Sequence, residues 1–393
     1  MSRARLALLA VLAAAAAPAP AAAYPWMISH EYTGCAACHA DPSGGGLLTR
    51  YGRAQAELLL RTRYGTVPEG AEPGRVAGFV FGAFEPPESI LLGGDVRLMV
   101  MRVQPSAGPA TNQTILMQSD LSGQVSYKRL RLAGSAGYAG NGALAATVVG
   151  TTDRFISRTY WLGVDLGEEN QWVVRAGRLN VPYGLRIIEH TAFVRTATRT
   201  DIDATQEHGL ALAYTGTKLR GEAMAILGNY QVSPDQYRQR GYSAYLEWAA
   251  RERLSVGASS LITHDEKDAQ LRTPLWRQAH GVFGRYAPVR RLVLLAEADM
   301  LLWSQPPGTN TFGAAALLQA DYELIRGLHV MATGELLDNA PGQGGASAGA
   351  WGSLVWFFAP HADVRADVVY QSLALGGGRA GATTVLGQVH LFL

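Results

Sequence analysis

Two cysteines and a histidine form the most chemically informative motif of the chain. Residues 35–39 read Cys-Ala-Ala-Cys-His, and Cys35 and Cys38 are the only cysteines among the 393 residues. A C-x-x-C-H sequence is typical of covalent c-type haem attachment, in which both thiols bond the macrocycle and the imidazole ligates its iron. No βαβ pattern surrounds the motif, so a thioredoxin-like redox pair is disfavoured. We expect one haem c bound through Cys35 and Cys38, with His39 as the proximal iron ligand.

The distal iron ligand is not marked by a motif. Residues 40–94 contain neither Met nor His, which removes the downstream ligand that is usual in soluble c-type cytochromes. Met27 and His30, just upstream, are the nearest candidates, and His30 is preferred because imidazole binds iron more strongly than a thioether does. Two alternatives stay open: His30 is a solvated loop residue, or a residue farther along the chain completes the coordination.

The first 23 residues have the layout of a cleaved secretory signal. Arg3 and Arg5 precede an apolar run at 6–17, and small residues end the segment before Tyr24. The apolar run is shorter than the roughly 20 residues that a membrane-spanning helix needs. Export would place the cysteines outside the cytoplasm, where c-type haem is attached and where a structural pair would more often form a disulfide.

Residues 90–393 divide into short segments in which apolar and polar side chains alternate. In one of them Val368 and Tyr370 fall on one face of a strand, with Arg365 and Asp367 on the other. Lipid outside and water inside would explain this division. Short predicted turns also alternate with longer, Gly-, Pro-, Asn- and Asp-rich connections. The pattern predicts an all-β membrane protein, an antiparallel transmembrane barrel of about 16 strands; the alternative, a soluble β-sandwich, would need apolar inner faces.

Composition excludes several other classes of protein. Without Arg3 and Arg5, 32 basic residues balance 32 acidic ones, so no net charge favours nucleic-acid binding. The sequence has no catalytic triad, zinc-type cluster, P-loop or dinucleotide fingerprint. An electron-transfer protein is therefore favoured over a hydrolytic or group-transfer enzyme.

The haem motif is followed by a predicted helix. A glycine-rich turn at 44–46 precedes residues 47–63, whose apolar positions are spaced as on one face of an amphipathic helix. The helix is too short to span a membrane. A segment of about 40 residues is also too small to bury a haem and a core of its own. We therefore expect the lumen of the barrel to shelter it.

These residues carry a family resemblance. T-G-C-A-A-C-H at 33–39, L-L at 47–48 and Y-G-R-A at 51–54, ahead of a porin-like barrel, resemble the fused cytochrome-porins of the outer membrane, whose studied members are iron oxidases. The resemblance implies one covalent haem and electron passage between the cell exterior and periplasmic cytochromes or other carriers. It also implies Gram-negative outer-membrane lipid around the barrel, and an extracellular metal ion such as Fe(II) as donor. The domains would be a signal peptide at 1–23, a monohaem segment and linker at 24–89, and the barrel at 90–393.

Connection 179–207 is the longest, and by strand count it is the third external loop. In porins that loop commonly folds inward and narrows the lumen. It would line an entry path for a metal ion or small anion, with carboxylates and imidazoles as transient ligands, or it is a solvated loop whose charges pair with one another. Its charged and imidazole residues are Arg186, Glu189, His190, Arg195, Arg199, Asp201, Asp203, Glu207 and His208.

Three functions are compatible with these features. The first is electron transfer across the outer membrane through a haem held at or in the barrel. The second is a solute porin whose haem segment is a plug or sensor, and the third is a barrel sheath for a separate multihaem cytochrome. One haem is far shorter than a hydrocarbon layer of roughly 30 Å, so the first function requires the haem to lie in the lumen or to pass electrons to a further carrier.

Overall fold

A computed structural model describes residues 24–62, 73–143, 155–306, 308–339, 345–375 and 378–393. The predicted signal peptide at 1–23 and part of the predicted linker, 63–72, lie outside these residues. The strands are β1 (Ile90–Pro105), β2 (Thr111–Tyr127), β3 (Leu130–Tyr138), β4 (Phe155–Ile156), β5 (Tyr160–Leu166), β6 (Trp172–Leu179), β7 (Glu207–Thr215), β8 (Leu219–Gly228), β9 (Arg240–Arg251), β10 (Leu254–Asp265), β11 (Leu275–Val289), β12 (Leu292–Gln305), β13 (Thr309–Ile325), β14 (Leu328–Asp338), β15 (Ser347–Ala359), β16 (Ala362–Leu375) and β17 (Gly378–Phe392).

The strands form one closed antiparallel barrel. Except for β4 and β5, each strand pairs with its neighbours in sequence, and β1 closes the sheet by pairing with both β2 and β17. β4 and β5 both pair with β3 and are two pieces of one wall strand. The 17 described strands therefore make a wall of 16, which confirms the predicted fold class and strand number.

Side chains alternate across this wall with a period of two, as predicted. On β16, Arg365 and Asp367 are buried inside, whereas Val368 and Tyr370 point outward and are each more than half exposed. An apolar outer face is what lipid requires of a membrane barrel. Further outward residues more than half exposed include Leu121, Leu162, Val282, Leu318 and Leu336.

Helical segments are short. Those described are 3₁₀ turns at Pro25–His30, Arg75–Ala77 and Asp235–Tyr237, helix α1 (Arg50–Gln55) with a π-helical continuation at Ala56–Leu60, α2 (Phe79–Gly82) and α3 (Phe193–Thr198). No helix in the described part of the chain combines the length and the apolar character needed to cross a membrane.

The helix predicted over 47–63 is shorter in the structure. It begins at Arg50, where the Thr49 hydroxyl accepts a hydrogen bond from the Gly52 amide at 3.0 Å. Leu48 instead pairs with His39 in an isolated antiparallel bridge, and Thr49 has an extended backbone. A threonine N-cap has extended backbone itself, which fixes the helix start after it. Residue 63 lies outside the described structure.

The N-terminal segment, residues 24–62, lies inside the barrel at the end with the short turns. Glu31 pairs with Arg253 at 2.8 Å, beside the turn between β9 and β10. The amide of Thr62 donates to the carbonyl of Phe357 at 2.8 Å. Buried Trp26, Met27 and Ile28 join one apolar core with wall residues Leu295 and Phe357. The lumen predicted to hold water is thus packed with protein at this level, and it shelters the segment as expected.

Candidate functional site

The C-x-x-C-H residues form a compact turn within the lumen. The amides of Cys38 and His39 both donate to the carbonyl of Cys35, at 3.1 and 3.0 Å. On the far side, the Thr49 amide donates to the Cys38 carbonyl at 2.8 Å. Backbone hydrogen bonds therefore hold the motif against the start of α1.

The thiols are not those of a redox pair. Cys35 and Cys38 are not joined by a disulfide. Burial raises the pKa of the Cys38 thiol to about 12 and also raises that of Cys35. Thioredoxin-like chemistry needs a lowered thiol pKa, so the structure argues against the redox-pair interpretation.

His39 has the properties of an available ligand. Its side chain is buried, and its Nδ1 atom has no hydrogen-bond partner among the described residues. Burial lowers the pKa of His39 to about 4, although Asp41 opposes this effect. The imidazole is therefore neutral at physiological pH, which is the form that binds metals.

His39 faces a large cavity between the N-terminal segment, the barrel wall and the long loop. The space in this cavity that a water-sized molecule can reach is about 110 Å³. Apolar residues line part of it and charged residues the rest, which suits a flat apolar macrocycle with carboxylate substituents. Its main lining residues are Met27, Cys38, His39, Leu48, Leu60, Asp95, Arg97, Arg186, Ile188, Ile202, Asp203, His390 and Phe392.

The structure separates the two distal candidates. Met27 lines the same cavity as His39 and is 2% exposed. His30 is not among the residues that line it. Burial and the nearby arginines Arg326, Arg290 and Arg253 lower the pKa of His30 to about 4, and Arg253 belongs to a short turn. His30, the candidate preferred from the sequence, thus lies outside the residues that line the cavity, whereas Met27 lines it.

The long loop folds into the lumen and is buried rather than solvated. The amides of Leu185 and Phe193 donate to the wall carboxylates Glu297 and Glu335, at 2.8 and 2.7 Å. Apart from His190, Asp201 and Asp203, its charged residues pair with the wall or with the loop between β10 and β11 and not with one another, which corrects that part of the solvated-loop interpretation. The pairs are Glu189 with Arg365, Arg195 with Glu297 and Arg199 with Asp268, while Arg186 lines the cavity, Glu207 is half-buried on β7 and His208 contacts the Tyr160 hydroxyl.

One cluster in the loop pairs within itself. His190 Nδ1 lies 2.7 Å from Asp201 Oδ2, and its Nε2 lies 3.3 Å from Asp203 Oδ2. Burial lowers the pKa of His190, but the two carboxylates outweigh burial and the pKa is raised overall. Desolvation raises the pKa of the half-buried Asp203, yet His190 and Arg97 hold it below the ordinary value. The cluster is a compact, charged set of potential metal ligands.

Asp41, which no motif of the sequence marks, ties the C-x-x-C-H turn to the wall. The fully buried Arg175 of β6 contacts Asp41 at 3.0 Å and Glu222 of β8 at 2.5 Å. Burial raises the pKa of Asp41, but Arg175 more than compensates and the pKa is lowered overall. Asp41 lies two positions after His39. Its acidic side chain so close to the motif is the one signal in the sequence that could have identified it.

Replacing Gly52 with alanine should loosen the motif. A Cβ atom at Gly52 would lie 2.3 Å from the carbonyl oxygen of Cys38, a distance that forces α1 away from the turn. Overpacking of this kind costs about 1–3 kcal/mol. Limited proteolysis in detergent should then cleave residues 24–62 faster than in the unsubstituted protein. Gly34→Ala is the control, because its Cβ would lie 3.8 Å from the nearest atom; equal protection of both variants would contradict the prediction.

The closed wall of 16 strands, the apolar outer face and the inward third loop define a porin-like outer-membrane β-barrel. This places the chain in the outer membrane of a Gram-negative bacterium, as the sequence predicted. No known protein family and no curated protein sequence matches the chain. The barrel part of the sequence resemblance is therefore confirmed by fold alone, and its haem part stays a prediction.

Solved structures with the same fold include outer-membrane proteins. OmpT of Vibrio cholerae with loop L8 deleted superposes with a TM-score of 0.61 at 13% identity, covering 78% of this chain and 100% of that one. The channel DcaP of Acinetobacter baumannii gives 0.57 at 12% identity, over 79% and 99%. An anion-selective porin from Comamonas acidovorans gives 0.56 at 13% identity, over 78% and 99%. At these identities the likeness shows the fold.

Proposed function

We propose that this barrel carries one covalent c-type haem in its lumen and passes single electrons between the cell exterior and periplasmic carriers. The observation that carries the proposal is the shared cavity: His39 and Met27 both line it, directly beside the C-x-x-C-H turn. The haem would supply one-electron redox chemistry when bound. Cys35 and Cys38 would hold it through thioethers, His39 would be the proximal iron ligand, and Met27 the distal one.

The surrounding residues fit such a group. The neutral, buried imidazole of His39 has an unpartnered nitrogen, which a ligand or its hydrogen-bond partner would satisfy. Arg97 and Arg186 line the cavity and would pair with the carboxylates of a macrocycle. Apolar residues of the N-terminal segment and of the loop line the site, and an apolar surrounding is one of the means by which proteins set a reduction potential.

A second candidate is a solute porin whose N-terminal segment is a plug. Its support is the fold, which is shared with a channel and with an anion-selective porin. The third candidate, a sheath for a separate multihaem cytochrome, is disfavoured because the chain's own segment and loop occupy the described part of the lumen.

The deciding experiment first measures whether the protein contains covalent haem and then whether an external donor reduces that haem. Protein matured in a periplasm that attaches c-type haem should keep its haem on a denaturing gel, and Cys35→Ser with Cys38→Ser should abolish it. Ferrous iron mixed with the purified protein should then reduce the haem in stopped-flow absorbance. A colourless wild-type protein would overturn the proposal. A haem that no external donor reduces, together with ion conductance in planar bilayers, would favour the plugged porin.

A further inference from the structure

We propose that an acidic periplasmic protein docks on the short-turn end of the barrel. The docking surface consists of the basic turns at 290–291 and 326–327 and of the apolar side chains at 76–84, and we call it the mouth surface. Short turns lie on the periplasmic side of outer-membrane barrels, so a soluble periplasmic protein can reach this end of the molecule.

The short turns carry an excess of positive charge. Between the strands they contain seven arginines and lysines but only three glutamates. The external connections 229–239 and 266–274, by contrast, contain three basic and three acidic side chains. Most of the basic turn residues fall in four consecutive turns, from β7–β8 to β13–β14: Lys218, Arg253, Arg290, Arg291 and Arg326.

Three of these arginines have no carboxylate partner. Arg253 pairs with Glu31 at 2.8 Å, but Arg290, Arg291 and Arg326 form no ion pair within the described residues. Arg290 and Arg291 are also exposed. A partner with surface carboxylates would complete these pairs, and opposite charges on two proteins speed their encounter and select the partner.

The arginines lie beside the N-terminal segment. The Pro25–His30 turn packs against β11 and β12, the two strands that Arg290 and Arg291 connect. Burial and then the charges of Arg326 and Arg290 lower the pKa of His30, as expected for guanidinium groups close to the segment. Lipid headgroups surround the outside of the wall, whereas a soluble protein meets its mouth, so this placement favours a protein partner.

An exposed apolar patch lies at the same end. The Gly74 amide donates to a carboxylate oxygen of Glu57 at 2.5 Å, and His361 Nε2 donates to the carbonyl of Val76 at 3.1 Å. The chain is thereby held against the N-terminal segment and the β15–β16 turn. Clustered apolar side chains that remain exposed mark interaction sites. Those at this position are 39–52% exposed and are Val76, Val80, Phe81 and Phe84.

The patch and the arginines are close enough to form one interface. The β11–β12, β13–β14 and β15–β16 turns are consecutive around the barrel. Neighbouring strands lie about 4.8 Å apart, so the first and third of these turns are about 20 Å apart. Phe81 contacts His361 of the third turn, with ring centroids 5.9 Å apart. An apolar patch bordered by charges over this distance suits the small interfaces of electron-transfer complexes.

The patch is also close to the cavity of His39. His361 contacts Phe392 with ring centroids 5.7 Å apart, and Phe392 lines that cavity. A protein docked on Phe81 would therefore lie two ring contacts from the proposed haem site, which suits an electron carrier. The identity of the partner as an electron carrier rests on the proposed function, whereas docking of an acidic protein does not.

A pair of probes with opposite charge tests the surface. Full-length protein in phosphatidylcholine nanodiscs is mixed with a small, basic, soluble c-type cytochrome or with the same cytochrome made acidic by succinylation of its lysines. Biolayer interferometry measures the affinity. We expect saturable binding of the acidic form alone, weakened by salt and weakened at least tenfold by Arg290→Glu with Arg291→Glu. The matched control reverses two charges of an external connection, Lys267→Glu with Arg272→Glu, and should bind as the unsubstituted protein does.

A second readout does not depend on charge reversal. A photo-cross-linking amino acid at the position of Phe84 should capture the acidic cytochrome. The same amino acid at the position of Tyr230, which is 56% exposed on an external connection, should not. Equal binding of the basic and acidic cytochromes, equal binding by the two charge-reversed variants, or equal cross-linking at the two positions would overturn the inference.

Two further outcomes separate this inference from its neighbours. Anionic phospholipid that copurifies with the unsubstituted protein but not with Arg290→Glu and Arg291→Glu, while cytochrome binding is unchanged, would assign these arginines to the membrane and overturn the inference. A chain that lacks haem but binds the acidic cytochrome would defeat the proposed function and leave the mouth surface standing. A haem-loaded chain that ferrous iron reduces, but that does not bind the acidic cytochrome, would do the reverse.

Discussion

An Arg175→Ala variant is expected to release the N-terminal segment and to lose about 3–5 kcal/mol of free energy of unfolding, the usual cost of leaving buried ion pairs without one partner. Arg175 has no exposed surface and joins Asp41 of the segment to Glu222 of the wall. Without its guanidinium, two buried carboxylates face each other across the contact between the N-terminal segment and the barrel wall. Repulsion between them adds to their desolvation, and both effects push the segment away from the wall.

Conductance and proteolysis measure this release. In planar bilayers the Arg175→Ala barrel should conduct more than the unsubstituted one, and residues 24–62 should become accessible to protease. Arg238→Ala is the matched control, because Arg238 pairs with the exposed Asp235 and an exposed pair contributes only about 0–1 kcal/mol. Unchanged conductance and protection in Arg175→Ala would show that other contacts hold the segment.

Under the proposed function, replacing Met27 is expected to change the spin state of the haem iron. A Met27→Leu substitution keeps nearly the same volume but removes the thioether sulfur. If Met27 is the distal ligand, the optical spectrum should change from low-spin to high-spin. The reduction potential should fall, because a Met ligand raises it. The measurements are absorbance of the oxidised and reduced protein and a redox titration.

His30→Ala provides the comparison. His30 does not line the cavity of His39, so its removal should leave the low-spin spectrum intact. The opposite result, with the low-spin spectrum lost in His30→Ala and kept in Met27→Leu, would assign the distal position to His30 and would require the Pro25–His30 turn to rotate.

Most of the barrel could be predicted because its signal is local and repeated. Val368 and Tyr370 alternate with Arg365 and Asp367 in sequence, and a strand converts that alternation directly into an outer and an inner face. The break between β4 and β5 was not predicted, because β5 continues the pairing with β3 beyond the break.

The start of α1 shows where such reasoning fails. Leu47 and Leu48 have the spacing of an apolar helical face, but the same residues are equally suited to line a cavity. The spacing of apolar residues indicates which side chains are kept from water. It does not indicate which residues those side chains pack against. The capping preference of Thr49 was the better guide to this boundary.

The candidate site was predictable only where one short motif contains it. Cys35, Cys38 and His39 are adjacent in sequence, so their types alone indicate their chemistry. His190, Asp201 and Asp203 have no recognised ligand spacing, and the inward fold of the loop brings them together. The choice between Met27 and His30 likewise depends on which side of one helical turn faces the cavity, which iron-binding strength does not reveal.

The closed wall has a consequence for biogenesis. Hydrogen bonds between Gly94 and Leu393, at 3.2 and 2.7 Å, join the two ends of the sheet, so the C-x-x-C-H turn is enclosed once that seam forms. An enzyme that builds thioethers needs direct access to Cys35 and Cys38. Under the proposed function, maturation must therefore precede membrane insertion: the chain acquires its cofactor while unfolded in the periplasm, and the insertion machinery then wraps the strands around a finished N-terminal segment.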